Sequence, residues 1–146
     1  MGYYEKTYTN LVSSGTFKYR DLDSNIFINT VAMHDTIGFP AGLDTIKKSV
    51  PLQINWVGSP LVEKETVTAW VNSNIEGDSR LVSTNNVGAT NLIFPLNQLT
   101  QLGTGPHGTL LMERLYSPAI TEATSAGGSV NLKYIPKNKT GLEIVP

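Results

Sequence analysis

Thr66-Val67-Thr68-Ala69-Trp70-Val71 alternates polar and apolar side chains with a period of two, the pattern of a strand with one face in a core and the other toward solvent. Residues 129–135 repeat it. Around these stretches the chain falls into short runs of Val, Ile, Leu, Tyr, Phe and Thr, separated by clusters of Gly, Pro, Asn and Ser. All-β domains are punctuated in this way. No segment carries a full amphipathic helix. We therefore expect an all-β fold, an antiparallel two-sheet β-sandwich of jelly-roll or Greek-key-like connection, with about eight or nine strands and minimal helix. The 146 residues have the size of one domain, spanning 1–146.

Reading outward, residues 7–12 and 16–19 flank Ser13-Ser14-Gly15 as a hairpin. Residues 26–33 are rich enough in β-branched and aromatic side chains for a central strand buried on both faces. Pro40, Gly42 and Pro51 bracket 43–48, which has room for one or two helical turns. In 52–57, Leu52, Ile54 and Trp56 share one face. Leu96, Leu99 and Leu102 recur at a helix-like interval, 109–116 is a further strand, and the tail adds a short edge segment. The expected core contains Ile26, Ile28, Leu52, Ile54, Trp56, Val67, Val130 and Leu132.

Eleven Lys and Arg stand against 12 Asp and Glu with no basic run, so few phosphates could be neutralised and nucleic-acid binding is set aside. The absence of Cys excludes disulfides, thiolate metal sites and a Cys nucleophile. Met1-Gly2-Tyr3-Tyr4-Glu5-Lys6 lacks the apolar core of a signal peptide, and no stretch has the length of a membrane span.

Asp21-x-Asp23-x-Asn25 has the opening spacing of a calcium loop, but Ile26 and Ala32 stand where Gly and a bidentate Glu belong; it reads as a polar turn between strands. Glu76 and Asp78 lie in a second acidic loop. His34-Asp35 are neighbours on a strand end, where alternate side chains diverge, and His107 stands in a Gly-Pro-His-Gly loop without further ligands. Glu63 and Glu65, two apart, read as a solvated strand edge. No nucleophile, base and orienting group can be named together, so no catalytic residues, cofactor or metal are expected and the chain is not read as an enzyme.

Two functions fit what is left. The first is a non-enzymatic structural subunit of a repeating assembly, in particular a virus or phage virion protein (capsid, decoration or tail), working as a homo-oligomer or with other virion subunits. Its interface would use Tyr3, Tyr4 and Tyr8, aromatic anchors of the kind enriched where proteins meet, and Leu142, Ile144 and Val145 as an apolar strip. The second is an extracellular or cell-surface carbohydrate-binding or adhesive module, with Trp70 and Tyr116 as a stacking platform.

Overall fold

A computed structural model describes residues 4–73, 75 and 78–146. It is nearly all-β and mostly antiparallel, with ten strands among the described residues and one four-residue helix. In chain order they are β1 (Ser14–Arg20), β2 (Ile26–Ala32), β3 (Thr45–Lys47), β4 (Leu52–Asn55), β5 (Glu65–Asn72), β6 (Ser79–Thr84) and β7 (Asn91–Phe94). Then follow α1 (Leu96–Leu99), β8 (Gly105–Tyr116), β9 (Leu132–Tyr134) and β10 (Lys139–Val145). A curled six-stranded sheet runs β3-β10-β8-β5-β6, with β9 also paired to β8. Two further ladders, β4–β7 and β1–β2, each have two strands.

The alternation at 66–71 does what its period demands. Glu65, Val67, Ala69 and Val71 point inward, and Thr66, Thr68, Trp70 and Asn72 point outward. On β8 the inward set is Leu110, Met112 and Arg114, because Val71 pairs with Leu110 and Ala69 with Met112. Ile54 and Trp56 from the β4 segment, Leu92 and Phe94 from β7, and Leu99 and Leu102 from α1 and the turn after it complete one cluster with Ile46, Leu142 and Ile144.

Several expectations need correction. The first hairpin joins β1 to β2 across Asp21–Asn25, and residues 7–12 form no strand. The Asp21 carboxylate accepts bonds from both the backbone and the side-chain amide of Asn25, and Ser24 takes φ 66°; that turn closes more firmly than Ser13-Ser14-Gly15 could. β2 is no central strand, since Ile26 and Ile28 are 41% and 44% exposed. Leu43 to Lys48 holds β3 instead of a helical turn. The tail is no edge: β10 lies between β3, to which it runs parallel, and β8. Ile54, Trp56, Val67 and Val130 are buried as expected, whereas Leu52 and Leu132 are half-buried.

Candidate interaction surface

The β1–β2 hairpin lies outside the main hydrophobic cluster, with Val31 near its base buried, and an isolated two-stranded ribbon is marginal in water. It nevertheless carries Phe17, Tyr19, Ile26 and Ile28 exposed. Facing residues share a side in an antiparallel pair, so Phe17, Tyr19, Phe27 and Val31 fall on one face and Thr16, Lys18, Arg20, Ile26 and Ile28 on the other. Tyr19 and Phe27, directly opposite each other, stack with ring centres 6.2 Å apart.

One edge of this arm is covered. The Ile28 amide donates to Glu122 Oε2 at 2.5 Å, and Asn29 Oδ1 accepts from the amides of Thr121 and Glu122 at 2.8 and 3.1 Å. At the other edge, β1, no strand lies alongside among the described residues. Met33 donates to Ser13 and Asp21 to Asn25 across the ladder, which fixes the odd-numbered residues of β1 as those bonded to β2. The amides and carbonyls of Ser14, Thr16, Lys18 and Arg20 therefore point away from it. Alongside runs a groove of about 350 Å³ bordered by Tyr4, Phe17, Lys18, Tyr19 and Arg20.

The arm is fixed at its root by a buried charge cluster. Glu65 and Arg114 are both fully buried and meet in a two-pronged pair, with Arg114 Nε donating to Oε1 at 3.1 Å and Nη2 to Oε2. Arg114 also donates to the carbonyls of Thr36, Ser59 and Pro60, and His34 Nδ1 lies 3.8 Å from Glu65. The solvated-edge reading of Glu65 fails because Lys64, at φ 67°, interrupts the alternation and turns Glu65 inward while Glu63 stays exposed. Asp35 accepts from the Thr36 amide and from the hydroxyl and amide of Ser59, and these bonds, the Ser59 hydroxyl foremost, hold its carboxyl down at about 2.

Among the sequence-derived interface residues, Tyr3 lies outside the described residues, as does Glu76 of the second acidic loop. Tyr4 is 89% exposed, and Tyr8 is exposed with Lys6 Nζ 5.7 Å from its ring centre. Leu142 and Ile144, at 1% exposure, line the chain's own core, and Val145 is half-buried opposite Lys47. Leu142 and Ile144 are thus not available to another subunit, because the alternation on β10 turns them inward, whereas Val145 has the opposite parity. Trp70 sits half-exposed on the outer sheet face, in a row with Leu81 and Leu111. Tyr116 pairs with Glu65 on the opposite face, so the two rings form no joint platform. His107 is exposed near the start of β8. Among the described residues no three His, Cys, Asp or Glu gather where a metal could sit, and the Asp21 carboxylate is engaged in its turn, with the Asn25 side chain holding it below its ordinary range.

Sequence reading missed the arm because Ile26 and Ile28 have the composition of core residues. The signal was in β1, where Phe17 and Tyr19 alternate with Lys18 and Arg20 in a segment with no second apolar run to cover it. The chain matches no protein-family model, no curated protein and no solved structure.

Proposed function

We propose that the chain is a structural subunit of a repeating assembly and that the β1–β2 arm is the part that docks. The observation that carries this reading is a two-stranded arm outside the main hydrophobic cluster, with Phe17, Tyr19, Ile26 and Ile28 exposed and one strand edge unpaired among the described residues. The arm exposes Phe17 and Tyr19 on one face and Ile26 and Ile28 on the other; exposed apolar surface gathered in one element favours an interaction site, and an unpaired edge seeks a strand. The curled sheet and the β4–β7 ladder are read as the two layers of a sandwich. A virion component is the role that such a small architecture suits, by analogy of fold; its action is non-enzymatic.

The test is molar mass in solution by light scattering for the intact chain and for a variant carrying Tyr19→Ser with Ile28→Ser. The expected result is a mass above 15.9 kDa for the intact chain and a monomer with an unchanged thermal transition for the variant. A monomeric intact chain at every concentration would sink the proposal. It would favour the second reading, in which Trp70 with Asn72, Ser79 and Glu113, around a groove of about 330 Å³, stacks a sugar ring.

A further inference from the structure

We infer that the arm pairs with a second copy of itself, β1 against β1 in antiparallel register centred on Phe17; this rests on the assembly reading above and specifies its contact. The outward groups of β1 belong to Ser14, Thr16, Lys18 and Arg20. A two-fold axis through Phe17 sets Thr16 opposite Lys18 of the second copy and Ser14 opposite Arg20. Every outward group then meets an outward group, giving about eight backbone hydrogen bonds between copies. Shifting the axis to Thr16 or Lys18 loses one pair at the end of the strand. A Lys18 axis also sets Lys18 against Lys18, and a Tyr19 axis sets Lys18 against Arg20; like charges directly opposite are unfavourable.

The side chains favour the same register. Phe17 faces Phe17 in a non-hydrogen-bonded pair, where cross-strand side chains approach most closely. Tyr19 falls opposite Gly15, which leaves room for the ring, the arrangement by which an aromatic covers an edge glycine. Lys18 and Arg20 are charges of the type that blunt edges, but here they lie opposite the hydroxyls of Thr16 and Ser14. Neither has an ion-pair partner among the described residues. Among the described residues no backbone hydrogen bond runs from 4–12 to β1, and Tyr4 borders the groove beside it. The result is a continuous four-stranded sheet, an isologous contact of the commonest symmetry.

Because the chain has no cysteine, Phe17→Cys gives one thiol per subunit. Cα atoms of a non-hydrogen-bonded pair lie about 4.5 Å apart, within disulfide reach. Mild oxidation of full-length Phe17→Cys should give a disulfide-linked dimer nearly to completion, at least tenfold faster than Thr16→Cys, whose thiols are offset by two residues. Lys18→Pro removes an outward amide without breaking the ladder to β2, so it should raise the dissociation constant at least tenfold, while Lys18→Ala leaves it within about twofold. Equal oxidation rates at 16 and 17, or equal behaviour of the two Lys18 variants in an intact chain that still assembles, would overturn the pairing and leave assembly standing. An intact chain that is monomeric throughout would overturn assembly and the pairing with it.

Discussion

Arg114 shows how much one side chain can organise. Removing one member of a buried pair leaves the other charge without compensation, at a cost of about 3–5 kcal/mol. Arg114→Met should lose that much in urea unfolding, and Glu65→Leu combined with Arg114→Met should lose less than the single change, because no charge is stranded. Asp35 adds a pH signature. Its carboxyl is lowered from 3.8 to about 2, so its contribution is complete above pH 4 and lost as pH falls through 2. Asp35→Asn should cost about 1–3 kcal/mol at neutral pH, and the gap between variant and parent midpoints should close between pH 4 and 2. The burial of Arg114 was legible in principle, since it shares parity with Leu110 and Met112 and an inward cation demands an acid. Glu65 as that acid was hidden, because the left-handed backbone at Lys64 has no sequence signature in a non-glycine residue.

Among the elements, β5 is legible from its alternation, whereas β2, β3 and β10 take places that local pattern does not give. β5 sits where its alternation puts it, and β8 contains the expected strand at 109–116. Residues 26–33 look like a central strand because β-branched residues suit an exposed arm made for docking as well as they suit a core. β10 was underestimated because its place depends on a cleft formed by elements 30 to 100 residues away. Gly108 admits it: a Cβ there would meet the Leu142 carbonyl oxygen at 2.9 Å and Ile144 Cγ1 at 3.0 Å. Gly108→Val should therefore destabilise by about 1–3 kcal/mol, as overpacking does. Hydrogen exchange should accelerate at Leu142 and Ile144 before it does at β5.

For the whole molecule, the class of fold was legible and its layering was not. Period and punctuation identify strands, whereas the choice of neighbours among ten of them, including the parallel β3–β10 pair, is made by long-range closure. The division of labour between body and arm follows from that layering: the body holds the whole main hydrophobic cluster, and the arm carries exposed Phe17, Tyr19, Ile26 and Ile28 beside an edge unpaired among the described residues. Sedimentation velocity of the intact chain beside one lacking residues 1–32 tests this most directly. The intact chain should show a mass above 15.9 kDa that rises with concentration, and the shortened chain should stay folded and monomeric. An intact chain that remains monomeric, or a shortened chain that assembles as the intact one does, would contradict it.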